Sequence, residues 1–150
     1  MALKDVNAVV GEHTGLSRKV LDYSLLMKRL VDEAKQPGFS EASWAPLAEL
    51  VAVDTFERVG NFLEVMTWPE YVAFLTRWAV SSEWECSFKR ITEKDRVVFL
   101  ELEERSAFGE HRSVVNSLSV YAFDDAGKLR HLDIYLQMAM PDPEMMKAYG

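Results

Sequence analysis

The amino-acid sequence predicts an α+β fold: a curved antiparallel sheet wrapped around three N-terminal helices, making a conical barrel with a central pocket. Three observations predict it. Apolar residues recur at helical spacing only in the first half of the chain. From Trp84 onward the period becomes that of strands. Near the end, residues 113–140 (SVVNSLSVYAFDDAGKLRHLDIYLQMAM) read as two long strands about one tight turn. Helices followed by an antiparallel meander pack against one face of the sheet. The 150 residues, 49% of them hydrophobic, suit one domain, and a chain of that length buries roughly 70% of its unfolded surface. With no internal repeat, low-complexity segment or long linker, residues 1–150 are read as a single domain with its core at about 16–140.

Met1 to Gly15 is short and mixed and reads as a loop or lead-in arm. A first helix follows from Ser17 to about Ala34, with Val20, Tyr23, Met27, Leu30 and Val31 on one side. Gln36-Pro37-Gly38 stops it. A shorter helix spans Ser43 to Val51, with Ser43 as cap and Pro46 in its first turn. Asp54 to Val59 is a brief strand ended by Gly60-Asn61, and Phe62 to Met66 could pair with it. Thr67-Trp68-Pro69-Glu70 is a capping-box start for a third helix, whose stripe is Tyr71, Phe74, Leu75 and Trp78. Strands Trp84–Ile91 and Arg96–Ser106 flank a turn at Thr92–Asp95, and Pro141-Asp142-Pro143 ends the sheet.

The last hairpin organises the rest. Gly127 supplies the positive φ for a four-residue turn, which returns Lys128 opposite Asp124. That register sets Tyr121 opposite His131, Ser119 opposite Asp133, and Ser117 opposite Tyr135. Alternation then sorts Ser117, Ser119, Tyr121, Phe123, Asp133, Tyr135 and Gln137 onto one face. Val114, Leu118, Val120, Leu132, Ile134 and Leu136 take the other, interrupted by Asn116. The mixed face suits a pocket for a small hydrophobic molecule. The apolar face calls for a cover, and predicts a homodimer packed sheet to sheet.

Composition excludes several classes. A net charge of −7, with no dense Lys/Arg cluster, argues against nucleic acid or an anionic membrane as partner. No apolar run approaches the ~20 residues of a membrane span. The N-terminal residues carry charges and glycines where a secretory signal needs an apolar run, so a cytoplasmic location is expected. Cys86 is the only cysteine and reads as core filler. His13, His111 and His131 have no ligand spacing between them, so no metal is expected. No phosphate-binding or dinucleotide fingerprint is present, so no cofactor is expected either.

The order of elements resembles the nuclear-transport-factor-2-like superfamily, in particular its SnoaL-like branch. The matching segments are Leu50–Val59, the Trp68–Trp78 helix and the ending Gly127–Tyr135. The resemblance implies a cone-shaped pocket, on a fold that hosts isomerases, cyclases, dehydratases, epoxide hydrolases and plain binding modules. Tyr23 matches the helix-one tyrosine of ketosteroid isomerases, but their second acid falls on Ser119. In limonene-type epoxide hydrolases the segment that pairs an Arg with an Asp corresponds to Glu104-Arg105-Ser106-Ala107 and the terminal acid falls on Gln137, so the carboxylates that would activate water are missing. The late-strand acid of SnoaL-like cyclases leaves Asp133 as candidate.

Asp133 and Tyr23 are therefore the candidate catalytic pair: Asp133 as a base for a proton next to a carbonyl, Tyr23 as donor to the developing enolate. The bland alternative is a solvated aspartate and a core tyrosine. Tyr135, Ser119, Ser117, Tyr121, Gln137, Arg58 and Trp78 are the candidate ligand-binding residues. Only one of Glu57 and Arg58 can point inward: Arg58 would favour an anionic ligand, Glu57 a base. Glu101, Glu103 and Arg105 share a strand face, expected outward. Two functions stay open. One is an acid–base enzyme (isomerase, cyclase or dehydratase) on a small hydrophobic carbonyl compound. The other is a catalytically silent ligand-binding or dimerisation module, or a non-catalytic subunit of a larger enzyme.

Overall fold

Periodicity and turn chemistry become four helices and six strands in the computed structural model, which describes residues 2–139. The expected lead-in arm is partly ordered by pairing. Lys4 forms a bridge with Phe88, and Asp5 caps the short helix α1 (Val6–Val9) by accepting from Asn7 N–H at 2.8 Å. Helix α2 (Gly15–Glu33) buries Val20, Leu21, Tyr23, Ser24, Met27, Leu30 and Val31, the face its spacing predicts. The next helix is shorter than expected. A 3-10 turn (Glu41–Trp44) runs into α3 (Ala45–Ala48), and the chain leaves it because Val51 bridges Leu129 and Ala52 N–H donates to the Leu129 carbonyl.

Strand β1 (Glu57–Val59) pairs with β2 (Val65–Thr67), and α4 (Trp68–Ala79) starts at the capping box, where Thr67 N–H donates to Glu70 Oε1 at 2.9 Å. The meander follows as β3 (Glu83–Lys94), β4 (Val97–Phe108), β5 (His111–Phe123) and β6 (Leu129–Gln137). The first turn of the meander is tighter than expected. Asp95 and Arg96 both take positive φ, a two-residue turn whose twist matches the strands it joins, so β3 extends to Lys94. The stop expected at Pro141-Asp142-Pro143 lies outside the described residues.

Among the described residues the six strands form one sheet in the order β2-β1-β6-β5-β4-β3, with β2 and β3 at its edges and Lys4 bridging β3 at Phe88, so the cone is curved but not closed. All pairs are antiparallel except β1 with β6, which is parallel: Arg58 lies opposite Leu132 and Val59 opposite Asp133. The helices fill the concave side. Leu21, Leu30, Leu47, Leu100, Leu129, Leu132 and Trp44 are wholly buried there.

The register of the last hairpin differs from expectation by one residue. The turn itself forms as predicted: Gly127 has φ +75°, and Asp124 N–H donates to the Lys128 carbonyl at 2.9 Å. One strand step later Phe123 pairs with Leu129 but Ala122 pairs with His131, leaving Arg130 as an unpaired bulge. A one-residue slip exchanges the two faces of everything beyond it. Leu129 and Leu132 are both buried although three apart, which only a bulge between them permits. As a result Asp133, Tyr135 and Gln137 point to the convex face, and Leu132 and Ile134 point inward. The convex face is therefore less apolar than predicted.

Candidate functional site

The concave face can be read as rows across the strands. Arg58, Leu132, Tyr121 and Val98 form the first; Ile134, Ser119, Leu100 and Ile91 the second. Leu136, Ser117, Leu102 and Phe88 follow, then Val115, Glu104 and Cys86, then Ser113, Ser106 and Trp84 at the wide end. Alternation puts Arg58 inside because its neighbour Glu57 pairs with His131 on the convex side. Glu101, Glu103 and Arg105 point outward, where Arg90 donates to both Glu101 oxygens from Nε and Nη2 and Arg105 meets Glu103 at 2.9 Å.

Helices α2 and α4 close over these rows with aromatic side chains. Tyr23 meets Tyr121 edge to face, centroids 5.6 Å apart, and Tyr71 stacks near Phe74 at 6.5 Å. The Arg58 guanidinium carbon sits 5.0 Å from the centre of the Tyr71 ring and 5.7 Å from that of Phe74. The Tyr71 hydroxyl lies beside that of Tyr23 without completing a hydrogen bond, and Tyr121 reaches toward Ser24. A polar string, Arg58–Tyr71–Tyr23–Tyr121, thus crosses an otherwise apolar core. Burial lifts the pKa of all three tyrosines above the ordinary value; for Tyr71 the positive charge of Arg58 opposes part of that rise. They are neutral donors at physiological pH.

Several of these groups lack partners. Tyr23 Oη, Arg58 Nε and Nη1, and Ser117 Oγ are buried with no hydrogen-bond partner among the described residues. Among the described residues two carboxylates lie on the concave side of the sheet: Glu93, opposite Val98 at the far end of the first row, accepts from Ser17 N–H and Oγ–H of α2 at 2.9 and 2.8 Å, and Glu104 accepts from Trp84 Nε1–H at 2.7 Å. Opposite it, burial, with Glu104 adding, pushes the Cys86 thiol up to about 12, so it is an unreactive thiol. The wide end opens into a cleft of about 590 Å3 between α2 (Lys28, Asp32, Lys35) and the ends of β3, β4 and β5, among them Trp84 and Arg105. A recess of about 200 Å3 beside it is lined by Trp78, Ser82, Ser106 and His111.

The expected site residues therefore divide into three sets. Tyr23, Tyr121, Ser117, Ser119 and Arg58 lie on or against the concave face, and Trp78 lines the recess at its wide end. Asp133, Tyr135 and Gln137, expected inside, are outside, moved there by the Arg130 bulge. Asp133 Oδ1 accepts from His131 Nε2–H at 2.8 Å, and Glu57 lies 3.5 Å from the other ring nitrogen. The two carboxylates flank opposite edges of the imidazole and do not converge. No cluster able to hold a metal occurs among the described residues. Tyr71 and Glu104 are the additions that sequence reasoning missed. Glu104 was legible in the alternation of β4, because Val98, Leu100 and Leu102 share its parity. Tyr71 needed the long-range docking of α4 over β1.

No protein-family model matches the chain, and no curated protein matches it by sequence. Solved structures do match. The chain is similar to a SnoaL-like, polyketide-cyclase-like protein from Jannaschia sp. CCS1 at 14% identity, covering 83% of this chain and 90% of that one, with a TM-score of 0.60. It is similar to an epoxide hydrolase from M. tuberculosis at 15% identity, covering 75% and 84%, TM-score 0.55. A third neighbour is SalBIII, an epoxide hydrolase/cyclase-like enzyme of pyran ring formation in the polyether salinomycin. It shares 12% identity over 81% of this chain and 92% of that one, TM-score 0.59. These likenesses define the class: the chain has the cystatin-like α+β fold of SnoaL-like and other NTF2-like proteins. At such identities it is the fold that is shared. No helix among the described residues is long and apolar enough to cross a membrane.

Proposed function

We propose that this protein binds a small hydrophobic molecule on the concave face of its sheet and that the polar string receives an oxygen of that molecule. The observation that carries this reading is the set of buried donors without acceptors, Tyr23 Oη with Arg58 Nε and Nη1. Buried polar groups are almost always hydrogen-bonded, and each one left unmade costs about 1–3 kcal/mol. Two side chains on one string, joined through Tyr71, that leave donors open in an apolar setting are the convergent polar groups of a ligand site, and the void of about 10 Å3 beside Tyr23 means that α2 and α4 part to admit the ligand. A lone cysteine whose thiol is buried supports a cytoplasmic setting for that role. The test is a crystal structure of the protein as purified. Density for an apolar molecule, with an oxygen within hydrogen-bond distance of Tyr23 or Arg58, is expected. A concave face filled by side chains and water alone would refute the reading.

A second reading, acid–base catalysis, rests on Glu104, the concave-face carboxylate that Trp84 holds, since Glu93 is tied to Ser17 of α2. It would take a proton next to a carbonyl while Tyr23 donates to the enolate oxygen, and return the proton to carbon or pass it onward. This assigns Glu104 the part expected of Asp133. Solvent deuterium incorporation into 2-tetralone, followed by NMR, tests it: Glu104→Gln should abolish the exchange, and no exchange with the unmodified protein would end the enzyme reading. The homodimer is part of the same proposal. Phe99, Val114 and Tyr135 remain exposed on the convex face, and light scattering reads the mass.

A further inference from the structure

Arg58 is 9% exposed, yet its charge has no full partner. Its guanidinium faces are covered by Tyr71 and Phe74, which satisfy the π surface but accept no hydrogen bond from Nε or Nη1. The acid nearest to it is Glu64, whose Oε2 stands 3.9 Å from Nη1, too far for a hydrogen bond. Removing a guanidinium from water costs several kcal/mol unless charge and donors are both met, and arginine cannot escape by losing its proton. Arg58 is therefore an anion-receiving group with two of its three nitrogens, Nε and Nη1, open.

Glu64 is not part of the core. It sits on the tip that joins β1 to β2, with its side chain 40% exposed. There its carboxylate occupies the space a Cβ would take on Gly60, and its Oε1 accepts from Phe62 N–H at 3.0 Å. The tip is lightly held. Phe62 and Leu63 are 78% and 81% exposed, and Leu63 has a φ of +65°, a strained value for a leucine. The counter-charge thus rests on an exposed tip, while the cation it faces is buried.

We propose that Arg58 is the seat for the carboxylate of an otherwise apolar ligand, and that Glu64 is the counter-ion such a ligand displaces. This rests on the small-molecule reading above and narrows its ligand to a monoanion. One guanidinium among tyrosine rings matches one negative charge on an apolar body: Lys28 and Lys35 lie at the wide-end cleft, and Lys19, at the void beside Tyr23 and Tyr121, gives its Nζ to the Gly127 carbonyl at 2.8 Å. Tyr71 and Tyr23, next along the string, supply the neutral donors that a second carboxylate oxygen would use.

The experiment compares two probes of equal shape, 2-naphthoate and the neutral ketone 2-acetonaphthone, titrated into the full chain and into Glu64→Gln by fluorescence at pH 7. Glu64→Gln keeps an acceptor for Phe62 N–H and is on the surface, so it tests charge without disturbing the fold. The variant is expected to bind 2-naphthoate about fivefold more tightly, the factor that loss of one weak competing ion pair gives, with the ketone unchanged. Arg58→Gln in the same chain should remove the preference for the acid. Unchanged or weakened naphthoate binding by Glu64→Gln overturns the displacement. If the ketone binds and the acid does not, Arg58 is no carboxylate seat although the pocket stands. If neither probe binds to any form, the pocket reading falls as well.

Discussion

Replacing Tyr23 by Phe removes one oxygen and nothing else, and the structure fixes the sign of the result. The ring packs edge to face on Tyr121 at 5.6 Å and would keep that contact. The hydroxyl is fully buried without a partner. The small void beside the ring, about 10 Å3, is lined by Val20, Leu50, Phe123 and Leu129 with Tyr121 and Lys19, whose Nζ is given to the Gly127 carbonyl; its volume is at the lower limit for holding a water. An unpartnered buried hydroxyl costs about 1–3 kcal/mol, so Tyr23→Phe should stabilise the empty protein by about 1 kcal/mol after the loss of a few dispersion contacts. For a chain of this length that is a rise in Tm of roughly 2–4 °C. Urea and thermal unfolding, followed by far-UV circular dichroism, measure both. The same variant should bind 2-acetonaphthone up to tenfold more weakly, the worth of one neutral hydrogen bond. A loss of about 1 kcal/mol or more in the empty protein would refute the reasoning. The hydroxyl would then be paired, with Tyr71 or a held water, and no open donor would exist for a ligand.

Two further predictions concern the same region. Tyr23, Tyr71 and Tyr121 keep their protons to higher pH in the folded state than in the unfolded chain, which ionises near pH 10. Their contribution is fully present below pH 10 and is lost as pH rises from there toward the folded values, by about 1.4 kcal/mol per pH unit for each tyrosine. Urea midpoints taken from pH 9 to 11 should fall steeply, and Tyr23→Phe should make the slope shallower; a flat profile contradicts three buried phenols. Asp133→Asn changes a convex-face group, so binding of 2-acetonaphthone should stay within about twofold of the unsubstituted protein, since surface changes away from a site act weakly. A larger loss would place Asp133 in the pocket and the register of β6 one residue away from that described.

The fold was legible because its signals are local. The spacing of Val20, Tyr23, Met27 and Leu30 defines α2 within two residues at its start, Thr67 and Glu70 mark the start of α4, and Gly127 marks the last turn. The site was half legible. Tyr23, Ser117, Ser119 and Tyr121 follow from parity within one element, and all four are on or against the concave face. Asp133, Tyr135 and Gln137 lie beyond Arg130, and nothing in GKLRHLD announces a bulge; what imposes it is distant. Leu129 is tied to Leu50 and Ala52 by backbone hydrogen bonds, while Leu132 is tied by β1 and by Tyr121. Both leucines are buried, and an odd spacing between them requires an extra residue. The direction of Arg58 was open for the same reason: it is set by a parallel pairing with a strand more than seventy residues away.

The placement of the open donors joins stability to binding in one set of atoms. In a chain selected only to fold, an apolar residue at position 58 would be at least as stable as a buried guanidinium whose charge is half met. At position 23, phenylalanine would serve the same contacts. Both polar residues lie on one connected string, with Arg58 next to the exposed tip between β1 and β2, and not scattered through the core. A ligand that supplies acceptors to Tyr23 and Arg58 changes the sign of each cost, and by linkage stabilises the folded state by an amount set by its concentration relative to Kd. The substitutions that most stabilise the empty protein should then be those that gain least from ligand. Groups on the convex face, His131 and Asp133 among them, should show no such opposition, because their hydrogen bonds are already made.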